Sequence, residues 1–188
     1  IVVGFIGFLV MEWNNPRTMG NMDVLGKMHH SLFQSVTTRT AGFNTIDLNG
    51  MTEISKLISI VLMFIGAAPG STGGGMKITT MVVLLMTVIS IIRGRTETIV
   101  LRRKVDKTIV YKALAVASLA GMLVILTTAI LLLTGDAKSG INALFETVSA
   151  FGTVGLSVGV TGQAGLISKI MLIITMFLGR VGPVAFAL

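Results

Sequence analysis

Cysteine is absent from this chain of 188 residues, which excludes disulfides. Charge is scarce as well. Asp, Glu, Lys and Arg make up 12% of the residues, against about 25% in a typical soluble domain. A soluble fold needs polar cover on its exterior, and a chain that is 53% hydrophobic with mean hydropathy +0.89 does not carry enough of it. The expected class is therefore a polytopic membrane protein. Histidine occurs only as His29 and His30. Neighbouring helical residues point about 100° apart and no carboxylate or thiol lies at ligand spacing, so no zinc site is expected there.

What charge there is sits unevenly. Arg93, Arg95, Arg102, Arg103, Lys104, Lys107 and Lys112 face only Glu97 and Asp106, which puts +5 of the net +7 in one short stretch between apolar runs. Such a loop carries the positive-inside signal and is expected to be cytoplasmic; nucleic acid is not the expected partner. The opening IVVGFIGFLVMEWNNP lacks the basic flank and cleavage-like site of a signal peptide. Both apolar ends read as cut helices, so the chain is expected to be a piece of a longer protein.

An internal repeat organises the rest. Leu32-Phe-Gln-Ser-Val36 aligns with Leu144-Phe-Glu-Thr-Val148. After one inserted residue at Gly152, Thr40-Ala-Gly-Phe43 aligns with Thr153-Val-Gly-Leu156, 113 positions on. Ile54-Ser-Lys56, Met63-Phe64 and Gly66 fall at the same offset on Ile167-Ser-Lys169, Met176-Phe177 and Gly179. Repeats of this kind set the architecture. Each copy reads as an apolar segment (1–13, cut short; 109–134), a polar turn, a short helix (27–38; 140–150), a Thr-x-Gly loop and a second apolar segment. At ~1.5 Å per residue the short helices cross only about half of a ~30 Å bilayer core. Re-entrant backbone is tolerated at membrane depth only where it lines a water-filled cavity, so the pattern predicts a pore.

The loop FGTVGLSVG (151–159) admits two readings. Gly155-Leu-Ser157-Val-Gly159 fits a hydrolase elbow, but both histidines precede Ser157 and no alternating strands surround it. Thr153-Val-Gly155 fits a backbone-carbonyl filter for potassium. A short helix places its partial negative charge at its carboxyl end, next to each loop, which favours cations. The filter reading assigns Thr40, Ala41, Gly42, Phe43, Thr153, Val154, Gly155 and Leu156, with ions at the carbonyls of Thr40, Ala41, Gly42, Thr153, Val154 and Gly155. The histidines then fall near the outer mouth.

Residues 51–92 would form a helix of ~60 Å, twice the bilayer core, unless interrupted. The run Ala67-Ala-Pro-Gly-Ser-Thr-Gly-Gly-Gly75 divides them into 51–66 and 77–92. It imitates a nucleotide loop, but Met76 intrudes before Lys77 and no βαβ unit surrounds it. Broken helices mark ion paths, and a gate is expected from Gly70, Ser71, Thr72, Gly73, Gly74, Gly75 and Lys77. Opposite Ala67 in the repeat stands Arg180. A charge at such depth costs at least ~2.5 kcal/mol and is functional by default, so it is expected beneath the filter, paired with the gate loop.

TTRTAGFNT (37–45), GAAPGSTGGGMK (66–77), FGTVGLSVG (151–159) and GRVGP (179–183) together resemble the Ktr/Trk/HKT superfamily of potassium transporters, most closely its bacterial Ktr branch. The resemblance implies an all-α polytopic membrane protein. Its helix–re-entrant pore helix and loop–helix modules repeat around a pseudo-fourfold pore, and this chain holds two of four. Residues 1–92 would be the third module, 93–108 the cytoplasmic basic connector and 109–188 the fourth. It further implies multi-pass placement in a bacterial inner membrane, K+ as transported ion with Na+ stimulating uptake, no covalent cofactor and no enzymatic chemistry. The implied partners, beyond K+ and the lipid bilayer, are a second copy in a homodimer and a cytoplasmic ring of nucleotide-binding subunits. A channel pore subunit and a non-conducting membrane scaffold are the rival readings.

Overall fold

Three helix starts follow side-chain caps that the sequence supplies, at Asp23, Thr52 and Asp106. The computed structural model describes residues 1–66, 68, 70, 73–94, 99–100 and 103–182. The first helix, α1, is Val2–Glu12. α2 (Val24–Thr37) begins three residues before the expected start, because the extended Asp23 accepts the Gly26 N–H at 3.1 Å and caps it there. α3 (Glu53–Phe64) starts behind Thr52, whose hydroxyl accepts the Ser55 N–H at 3.3 Å. α4 is Ile78–Ile92.

Within the basic connector, Ile99–Val100 (β1) and Arg103–Lys104 (β2) pair antiparallel over two residues each, the only strand pair among the described residues. α5 (Lys107–Leu133) follows the Asp106 cap. It is 27 residues long with mean hydropathy 2.5, and among the described residues it alone is long and apolar enough to cross a membrane. Then come α6 (Gly140–Phe151), the single turn α7 (Val160–Gln163) and α8 (Leu166–Val181). The fold is helical, in line with the expectation from the sequence.

α6 is the centre of the second half: it packs against α3, α5 and α8, while α2 lies against α1. Its Phe145, Val148 and Phe151 are buried, and the Phe151 ring tilts against Phe64 of α3 with centroids 5.7 Å apart. Polar groups share this interior. Ser31, Ser35, Ser55, Ser59, Thr127 and Thr175 are buried, while Ile92, Leu133 and Leu166 are among the most exposed side chains. Water would favour the reverse arrangement, whereas lipid favours this one. α5 and α8 are joined by a hydrogen bond between the Thr127 and Thr175 hydroxyls (2.8 Å), and α3 and α6 by Lys56 Nζ donating to Asn142 Oδ1 (3.1 Å).

Candidate functional site

The two Thr-x-Gly loops take the same backbone path. Thr40 and Gly42 have φ of 69° and 78°; Thr153 and Gly155 have 52° and 90°. A β-branched residue in the left-handed region is a true outlier. Holding one there costs on the order of 1–3 kcal/mol, and such strain clusters at functional sites. Each loop leaves the carboxyl end of its short helix, α2 or α6, where the aligned peptide dipoles concentrate negative partial charge.

One hydroxyl residue near each helix end shapes the loop that follows. The Thr37 carbonyl accepts the Ala41 N–H (3.2 Å) and its hydroxyl donates to the Phe43 carbonyl (2.5 Å). Ser149 does the same, accepting from the Val154 N–H (2.9 Å) and donating to the Leu156 carbonyl (2.6 Å). Both side chains are buried. Phe43 and Leu156, included in the expected filter, therefore have their carbonyls occupied.

By contrast, the carbonyls of Thr40, Ala41, Gly42, Thr153, Val154 and Gly155 accept no hydrogen bond from any described residue. Carbonyl oxygens left without donors need another partner, and cations suit them. The loops also lie side by side. A Cβ added to Gly42 would sit 2.3 Å from the Val154 carbonyl oxygen, and one on Gly155 would be 3.8 Å from the Gly42 Cα. The structure thus brings both sets of expected filter residues together.

The broken segment meets the second loop directly. Its root is closed by the Gly66 N–H donating to the Met76 carbonyl (2.8 Å) and by Lys77 Nζ donating to the Gly73 carbonyl (2.6 Å). Its far side is fastened to the second Thr-x-Gly loop and to α8: the Gly74 N–H donates to Thr153 Oγ1 (3.1 Å), and the Gly75 N–H to the Gly179 carbonyl (3.1 Å). The fit needs glycine, since a Cβ on Gly74 would meet Thr153 Oγ1 at 2.4 Å. Gly70 shows φ of 81°. Ser71 and Thr72 lie outside the described residues.

Arg180 and Arg39 differ in what they touch. Arg180 is exposed and bonds to no described residue; it is the carbonyl of its neighbour Gly179 that holds Gly75. Arg39, between α2 and the first loop, donates through Nη1 to the carbonyls of Ile65 (2.5 Å) and Gly66 (3.3 Å), where α3 gives way to the broken segment. A cation there also complements the carboxyl end of α3. Of the histidines, His30 pairs its Nδ1 with Thr45 Oγ1 at 2.8 Å, beside the first loop.

Thr37, Ser149, Arg39 and the buried Glu146 behind the second loop are absent from the residues singled out in the sequence. The repeat carried a signal for three of them: it contains Glu146 opposite Gln34 and continues one residue past Val36 and Val148, to Thr37 and Ser149.

The sequence profile of the family described as TrkH, a cation transport protein, matches residues 1–188. The chain is 41% identical over 184 residues to Ktr system potassium uptake protein B of Bacillus subtilis, covering 98% of this chain and 41% of that protein. It is 40% identical to the protein of the same name from Vibrio alginolyticus, over 100% of this chain and 41% of the relative. Potassium/sodium uptake protein NtpJ of Enterococcus hirae is 36% identical over 97% of this chain and 41% of its own length. The crystal structure of the potassium transporter TrkH from Vibrio parahaemolyticus superposes with a TM-score of 0.77 at 21% identity, over 96% of this chain and 40% of that one, and shares its fold. The chain thus spans about two fifths of the length of the curated relatives it matches, which are named as transporters rather than enzymes. It belongs to the TrkH family of cation transport proteins.

Proposed function

We propose that this chain is the third and fourth modules of a potassium-uptake membrane subunit, residues 1–92 and 109–188, joined by a cytoplasmic connector at 93–108. K+ passes down its electrochemical gradient through a filter whose ligands are the carbonyls of Thr40, Ala41, Gly42, Thr153, Val154 and Gly155. The observation that carries this reading is the pair of adjacent loops with matching backbone angles and six carbonyls that accept no hydrogen bond from any described residue. Relatives named for potassium uptake support the choice of ion, and one named for potassium and sodium supports Na+ as a second ion.

The segment 66–76 is the gate, formed by Gly70, Ser71, Thr72, Gly73, Gly74 and Gly75 with Lys77 at its base. Its contact with Thr153 supports that role, because a loop fastened there stands in the path of an ion leaving the filter. Arg180 adds an electrostatic barrier on the same side. The assembly is a multi-pass homodimer in the cell membrane, bound to a cytoplasmic nucleotide-binding ring.

The test compares K+ and Na+ uptake by the full-length transporter and its Gly155→Ser variant in cells lacking other potassium uptake. Gly155 holds φ of 90°, which a side chain disfavours. A loss of K+ affinity or of preference over Na+ of about tenfold or more, at normal membrane abundance, is the expected result. Unchanged affinity and preference would leave the loop a structural turn and this function without support.

A further inference from the structure

We propose that the Glu146 carboxylate is a clasp that fixes the second filter loop from behind and so acts as a positioning residue for ion selection. The inference rests on the filter reading of that loop. Glu146 lies on α6, five residues before its end, and is 3% exposed. Its Oε1 accepts from Ser157 Oγ (2.6 Å) and from the N–H groups of Val158 and Val160 (3.0 Å each). Its Oε2 accepts from Thr161 Oγ1 (2.6 Å). Among the described residues no cation pairs with it.

A buried carboxylate without a counter-ion is costly unless donors converge on it. Here four do, and all come from 157–161, the stretch that leaves the filter. The chain enters residues 153–155 from α6 and is tied back to α6 on leaving them. Together with the Ser149 bond to the Leu156 carbonyl, this closes the loop into a ring whose span is set by one side chain. An acceptor-only group with two oxygens suits four donors, which an amide cannot match without turning one of them.

Two further observations give the clasp a consequence. A cavity of about 300 Å³ lies beside the carboxylate, bounded by Thr153, Gly155, Ser157, Leu172 and Met176, so the loop has room to relax if released. The first loop has no such clasp. Its repeat counterpart to Glu146 is Gln34, which is fully buried with neither amide atom hydrogen-bonded. Selection therefore depends unequally on the two loops, because the second is tied back to its helix by the carboxylate as well as by the hydroxyl bond that both loops share.

The test uses the full-length transporter, reading K+ KM, Vmax, the Na+/K+ uptake ratio and membrane abundance for Glu146→Ala, Glu146→Gln and the double variant Ser157→Ala with Thr161→Val. Glu146→Ala is expected to raise the K+ KM and the Na+/K+ ratio by roughly tenfold, while Glu146→Gln, which keeps the acceptor at Oε1, stays within about threefold of wild type. If Glu146→Ala does not reach the membrane, the double variant decides, with a severalfold rise in both quantities expected. A fall in Vmax that tracks abundance, with KM and ratio unchanged, would mean that Glu146 only supports folding and would overturn the proposal. Gly155→Ser, run alongside, separates the two failures. A shift there without one in the Glu146 variants sinks the clasp alone, and no shift in either sinks the filter reading as well.

Discussion

Thr153 combines two functions that are separable by mutation. Its backbone holds the left-handed turn of the second loop, and its hydroxyl accepts the Gly74 N–H from the broken segment. Valine has nearly the same shape and no acceptor. On the proposed reading, Thr153→Val is therefore expected to free the segment from the second loop, raising K+ flux through the full-length transporter. It is expected to lower stability by about 1 kcal/mol, the net worth of a hydrogen bond. Thr153→Ser should restore both. Flux and thermal denaturation of the purified protein read the two effects separately, and reduced flux in the valine variant would argue that the segment does not obstruct the pore.

Among the elements, α5 and α8 are joined within their contact and again at the turn between them. Midway, the Thr127 and Thr175 hydroxyls pair, and Thr175 also donates to the Met171 carbonyl. Because Thr175 keeps that second bond, Thr127→Val is expected to cost only about 0.6 kcal/mol, the average for such pairs between membrane helices, measured as a small shift in unfolding in detergent. At the turn after α5, Asp136 accepts from Thr134 Oγ1 (2.8 Å) and from the Gly165 N–H that leads into α8 (3.0 Å). The Ser168 and Thr134 hydroxyls, that N–H and the Lys169 charge hold its carboxyl below the ordinary aspartate value of 3.8. A carboxylate whose pKa is depressed by folding contributes stability above its unfolded pKa and loses it as pH falls through the folded one. Acidification below pH ~4 should thus loosen this junction, and Asp136→Asn should remove that part of the pH dependence in a melting series.

Legibility in the sequence differs from element to element for physical reasons. α2 and α6 can be read because their length, their repeat and the glycine loops after them are local properties. α7 cannot: Val160-Thr-Gly-Gln163 has no apolar period, and the turn is held by Glu146 from another element. The same holds for Glu146 itself, whose donors lie 11 to 15 residues on and depend on the path of the loop between. Its counterpart Gln34, lacking partners, even obscures the pattern. Arg180 stood out because a charge in an apolar run is conspicuous, while Arg39 sat in a polar motif and did not. Only the fold shows that Arg39 reaches the end of α3.

At the scale of the whole molecule, many apolar side chains face outward, while hydroxyls and the carboxylates of Glu12 and Glu146 share the interior with apolar side chains such as Phe145 and Phe151. That distribution suits a pore wall with lipid outside. The bond between Gly74 and Thr153 then has a thermodynamic consequence. Two parts that share a hydrogen bond share a free energy, and linkage runs equally in both directions. If moving the broken segment alters how tightly the second loop holds an ion, an ion held there alters the segment's equilibrium by the same factor. On the proposed reading, the transported ion would then be its own effector, with external potassium setting part of the open probability.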